Sequence, residues 1–158
     1  MKIKGVDLSR AYEDFIVLPR KPKDIVIRAR AITSFDEFER LCPSVAPPMV
    51  KRPGQKKSTP DFDDRTYVNL SNQRAMKQQA WINIQSLKAT EGLEWETVKL
   101  DNPETWLGYL DELQKSGFTP IELVAIMRLC DRVNGLNEDA LKEARERFLS
   151  EDQSSPST

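Results

Sequence analysis

Apolar positions alternate like a strand between Asp14 and Ile32, then recur at helical spacing from Asp64 to Phe148. In the first stretch Ile25, Ile27, Ala29 and Ala31 fall on one side, with Arg28 and Arg30 on the other, the period of a half-buried strand. Asp14-Phe15-Ile16-Val17-Leu18 precedes it, closed by Pro19 and the basic turn Arg20-Lys21-Pro22-Lys23. The pattern predicts a two-stranded hairpin, with Pro22 restricting the turn. A lone hairpin is marginal in water, so it must pack on helices or pair with another chain.

Ser34 and Glu37 are spaced as a capping box opening a short helix, with Phe35, Phe38 and Leu41 on one face and Pro43 closing it. Asp63 or Asp64 is placed to cap a long helix over about 64–88. Its stripe is Met76, Ala80, Ile84 and Leu87, widened by Trp81 and begun by Tyr67 and Leu70. The amides among Asn72, Gln73, Gln78, Gln79, Asn83 and Gln85 suit a solvated face, and Ser71-Asn72 is a place where the helix can break. Gly92 follows its end. Leu93 to Leu100 alternates as a short extended link or strand.

Asn102 caps the next helix with Pro103 at its first position, where the missing donor costs nothing. Trp106, Tyr109, Leu110 and Leu113 give its stripe, and Gly117 is a left-handed stop. Thr119-Pro120-Ile121-Glu122 is a complete start signal. The helix it opens, about 120–134, is apolar on most sides and is expected to be the central buried one, stopped by Gly135. Asn137 then starts a last helix whose buried stripe would be Leu141, Ala144 and Phe148.

The predicted class is α+β, mostly α. Residues 1–42 form the hairpin and short helix, 43–61 a proline-rich basic linker, and 62–150 a helical module of about four helices. The polar stretch 151–158 is expected to be unstructured. Five of the ten prolines, Pro43, Pro47, Pro48, Pro53 and Pro60, lie in the linker, predicting an extended arm or mobile loop. Its cations Lys51, Arg52, Lys56 and Lys57 have the charge for phosphates but no aromatic among them. A solvated or partner-wrapping loop is the expected role and nucleic acid an unexpected partner.

Composition narrows the chemistry. At 158 residues, with 39% hydrophobic and 31% charged, the chain suits one modest core. No apolar run reaches the roughly 20 residues that span a bilayer. Met1 to Asp7 holds no leader-like segment, so no membrane and a cytosolic setting are expected, a host cytoplasm or virion included. Cys42 and Cys130 are expected to stay reduced. There is no histidine, which removes Ser-His-Asp and Cys-His catalysis and His-containing zinc sites.

The chain has no phosphate loop, dinucleotide fingerprint, CxxC or HExxH. Asp61, Asp63 and Asp64 lack the calcium-loop spacing. Neighbouring acids such as Glu94/Glu96 or Asp111/Glu112 do not converge on a substrate. No enzyme activity, catalytic residue, metal or cofactor is therefore expected. The aromatic candidates for partner binding are Trp95, Trp106, Tyr109 and Trp81. Core packing is the ordinary role for such residues, and Trp95, in a short segment between helices, is the best surface anchor. Net charge is −1, but residues 1–60 carry 13 Lys/Arg against 7 Asp/Glu and residues 61–158 carry 11 against 18. Unequal solvated faces explain this simply, and mutual attraction, within one chain or head to tail, is the sharper reading.

One family resemblance adds to this. The residues that carry it are Asp63-Asp64 and Tyr67, Ile84-Gln85-Ser86-Leu87, Trp95-Glu96-Thr97-Val98, Asn102-Pro103-Glu104-Thr105-Trp106, Glu112-Leu113, Gly117-Phe118, Asn134-Gly135-Leu136, Ala144-Arg145 and Phe148-Leu149. Over roughly 61–150 the chain resembles the tail assembly chaperones of long-tailed bacteriophages. The resemblance implies a non-enzymatic protein that coats the tape measure protein, keeps it soluble until tail tube protein polymerises around it, and acts as a homo-oligomer. Many such chaperones also exist as a longer frameshifted product, and the polar segment after Leu149 would tolerate an extension. Two other roles fit the same surfaces: a structural virion component of the tail completion or terminator kind, and a small inhibitor or regulator of a host protein.

Overall fold

The computed structural model describes residues 2–7, 11–135 and 138–153. A small antiparallel pair, β1 (Lys2–Ile3) and β2 (Val6–Asp7), turns at Lys4-Gly5. The predicted hairpin follows as β3 (Glu13–Leu18) and β4 (Ile25–Arg30), paired Glu13 to Arg30 through Leu18 to Ile25. Its turn contains a cis Lys21–Pro22 peptide. The short helix α1 (Asp36–Leu41) leads to β5 (Met49–Val50) and β6 (Thr59–Pro60), then to the long α2 (Arg65–Leu87). A 3₁₀ turn over Pro103–Gly108 runs into α3 (Tyr109–Lys115), followed by α4 (Pro120–Asn134) and α5 (Glu138–Gln153). The architecture is α+β, with an N-terminal hairpin and a mainly helical remainder.

The hairpin packs on the helices of its own chain. Ile27 and Ala29 of β4 and Leu18 of β3 are buried with Leu87, Ile126, Leu129, Cys130 and Val133. A second cluster joins Phe38 to Ala80, Trp81, Ile84, Val98, Trp106, Tyr109, Leu113 and Leu123. Trp95 and Phe118 touch both and join them. Burying each large side chain contributes about 1.5–3 kcal/mol, so these two clusters are the main source of stability.

Start and stop signals account for most helix ends. Asp64 accepts from Tyr67 N–H, Asn102 from Glu104 N–H, and Thr119 and Glu122 form a reciprocal capping box. Gly117, at φ +102°, ends α3 with Phe118 N–H donating to Leu113 C=O and Gly117 N–H to Gln114 C=O, the paired bonds of a Schellman stop. A side chain at that φ would be strained.

Several expectations are corrected. Ser34 and Glu37 make no capping box: Ser34 Oγ accepts from Asp36 N–H, and Glu37 pairs with Arg40. Phe35 stays partly exposed, its ring 5.9 Å from that of Trp81. The linker is not wholly irregular, because β5 and β6 pair across a turn at Pro53-Gly54, where Gly54 has φ +84° and Gln55 N–H donates to Arg52 C=O. α2 continues through Ser71-Asn72 without a break, and Met76 and Leu70 are exposed rather than in its buried stripe. Residues 93–100 form no strand. α4 is amphipathic rather than buried all round: Leu123, Ile126, Leu129, Cys130 and Val133 face in, while Ile121 and Val124 face out. α5 exposes Leu141, Ala144 and Phe148, the three expected to be buried. It also continues past Leu149, so residues 151–153 are helical. Asn137 and residues 154–158 lie outside the described residues.

Candidate protein-docking surface

α5 is amphipathic, yet among the described residues little packs on its apolar side, where Lys4 Nζ lies 6.0 Å from the centre of the Phe148 ring. Leu141 is 53% exposed and Phe148 57%, with Leu149 close behind. Ala144 lies between the first two, so the spacing 141, 144, 148 draws one stripe along the helix. Beneath it is a groove of about 590 Å³ lined by Tyr12, Val133, Gly135, Leu141, Ala144 and Arg147, among others. The groove floor is held firmly. Asn134 Nδ2 donates to Ser86 Oγ and Cys130 C=O, and its Oδ1 accepts from Ile32 N–H. Arg132 Nε donates to Asp14 at 2.8 Å. An exposed apolar stripe beside a hydrogen-bonded groove floor has the shape of a helix-docking groove. The stripe was legible in sequence; its exposure was not, because period alone cannot say whether a face meets its own core or a partner.

The aromatic candidates separate by burial. Trp106, Trp81 and Tyr109 are core residues, inaccessible to a partner. Trp106 Nε1 donates to Lys99 C=O at 3.1 Å, and Tyr109 Oη accepts from the buried Asn83. Trp81 Nε1 is buried and has no acceptor among the described residues. Trp95 is half-buried and fastens the two clusters together, which leaves it little freedom as an anchor. The structure gathers Lys51, Arg52, Lys56 and Lys57 on the exposed loop between β5 and β6, with Arg52 3.8 Å from Asp61.

Neighbouring groups and burial account for the shifted ionisable groups. Burial raises Glu112, but hydrogen bonds from Thr97 Oγ1 and the N–H groups of Glu96, Thr97 and Val98 prevail and hold its pKa below the ordinary carboxylate range. This one carboxylate fixes the loop carrying Trp95 and Val98. Glu122 is brought down to about 2, first by the fork of bonds from Arg20 at 2.6 and 2.7 Å and then by Thr119 N–H. Burial pushes the Cys130 thiol up to about 12 and also raises Tyr109. Cys42 and Cys130 are both free thiols. Among the described residues no three His, Cys, Asp or Glu side chains are grouped to hold a metal, and no helix is long and apolar enough to cross a membrane. Comparison with protein-family models, curated proteins and solved structures finds no match.

Proposed function

We propose that this chain is a non-enzymatic assembly chaperone of a long-tailed bacteriophage that binds the tape measure protein and hands it to the polymerising tail tube. The observation that carries the reading is the uncovered apolar stripe of α5 above its groove. A soluble chain that leaves Leu141, Phe148 and Leu149 in water has a use for them, and a helix of an elongated client fits such a stripe. The residue-level resemblance over 61–150 supplies the identity of that client, and reversible binding there would keep it soluble. The same reading makes the protein a homo-oligomer working in the host cytoplasm.

The test is a pull-down from infected cells beside mass spectrometry of purified virions. The reading expects the tape measure protein in the pull-down, its loss with Phe148→Ser, and no copies of the chain in mature particles. Stoichiometric presence in particles would replace the chaperone with a structural tail component. Capture of a host protein with no tail protein would replace it with a host-directed regulator.

A further inference from the structure

The β1–β2 hairpin is too small to hold itself. Its strands pair only Lys2 with Asp7 and Ile3 with Val6, and so short a ladder is marginal in water. The loop between them is Lys4-Gly5, with φ +48° and +81°. Positive φ at both loop positions marks a type I′ turn, the form whose twist suits the two strands. Gly5 adopts it freely, and asparagine is the usual residue ahead of such a glycine. Lys4 is instead the one non-glycine with a positive φ among the described residues. A long side chain kept in that region at a conformational cost calls for a compensating contact.

The contact is on α5. Lys4 Nζ lies over the Phe148 ring, 6.0 Å from its centre, where a cation is drawn to the negative face of the aromatic ring. Lys4 and Gly5 are exposed, and Ile3 is 59% exposed and belongs to neither core cluster. The hairpin therefore lies on the surface and can lift away without opening the core. Its cover is light, since Phe148 keeps more than half of its surface in water. Leu141 stands seven residues back, about 10 Å along the helix, and stays open. A helix laid along Leu141, Ala144 and Phe148 needs the ring face that Lys4 occupies.

We propose that the β1–β2 hairpin is a latch over the C-terminal half of the α5 stripe, held by Lys4 on Phe148, which a docking client helix must displace. The inference rests on the reading of that stripe as the client site and adds how access to it is regulated. An exposed contact of this kind favours the closed latch about two- to fivefold. The ring face is then free in about one-third to one-sixth of molecules, and the apparent affinity for a client falls by that fraction. Such a latch discriminates between ligands. One that touches Phe148 alone gains little by displacing it, whereas one that spans Leu141 to Phe148 gains the whole stripe.

The experiment titrates the full chain calorimetrically with a capped, uncharged amphipathic helix of leucine and glutamine, so that Lys4 exerts no direct pull on the peptide. Lys4→Asn removes the ammonium and suits the turn, whereas Gly5→Val keeps the ammonium and breaks the turn. Each should tighten binding about three- to sixfold over wild type. Lys4→Arg, which keeps a cation, should bind like wild type. Phe148→Ser should weaken binding, and adding Lys4→Asn to it should change nothing further. Circular dichroism checks that each variant keeps its fold. If Phe148→Ser weakens binding but either Lys4→Asn or Gly5→Val fails to tighten it, the latch alone is overturned. The same follows if Lys4→Asn tightens binding as much in the Phe148→Ser background. A peptide that does not bind, or that binds Phe148→Ser as well as wild type, overturns the reading of the stripe and the latch with it.

Discussion

Glu112 gives the sharpest energetic prediction, because one side chain organises a loop with no secondary structure of its own. Its carboxylate accepts from three successive backbone N–H groups and from the Thr97 hydroxyl. Glu112→Ala leaves those donors without a protein partner. Water can reach the amides of Glu96 and Thr97, which are exposed, but Val98 is a core residue and its N–H is part-buried. Counting one poorly rehydrated donor bonded to a charge, plus partial loosening of the loop, the cost is about 2–3 kcal/mol. For a chain of this length that is roughly a 5–10 °C fall in Tm. Glu112→Gln keeps one acceptor oxygen but turns an amide NH₂ toward the donors, and should cost about half as much.

Urea unfolding followed by tryptophan fluorescence measures both, with Trp95 beside the clamp as reporter. The pH dependence supplies the sign check. The folded pKa of Glu112 lies below its ordinary value, so its contribution is fully present above the ordinary carboxylate range and is lost as pH falls through the folded value. The gap between the wild type and Glu112→Ala should therefore narrow in acid. A difference under about 0.5 kcal/mol at pH 7, or a gap that widens on acidification, refutes the clamp.

The Arg20–Glu122 fork should behave in the same sense. With Glu122 held at about 2 against an ordinary 4.5, wild type should lose stability relative to Glu122→Gln as pH drops between those values, read from urea midpoints across an acid series. Trp106→Phe breaks a bond to Lys99 C=O and should cost about 1–2 kcal/mol more than Trp81→Phe, since Trp81 gives up a donor that has no acceptor; equal losses would contradict this. Cys42 should react with a thiol reagent in the native protein while Cys130, buried and raised to about 12, reacts only after unfolding; simultaneous labelling would show that the core around Cys130 opens.

The local grammar of the chain was written in its residues. Thr119-Pro120 with Glu122, Asn102-Pro103, Asp64 and Gly117 each act within a few positions, so caps and stops are determined by neighbours in sequence. The alternation from Ile25 to Ala29 likewise set which side of β4 would be buried. Pro53-Gly54 carried a turn signal of the same short range, obscured by the prolines around it. What only tertiary structure decided was which apolar faces meet. The residues predict a buried face on both α4 and α5, yet α4 lies under the hairpin while α5 keeps Leu141 and Phe148 exposed. The pairing of Thr90 with the Arg28 backbone on the β4 edge, 62 residues away, depends on where α2 ends in space. Burial and edge pairing are long-range properties, set by the three-dimensional placement of elements, and no short window of sequence contains them.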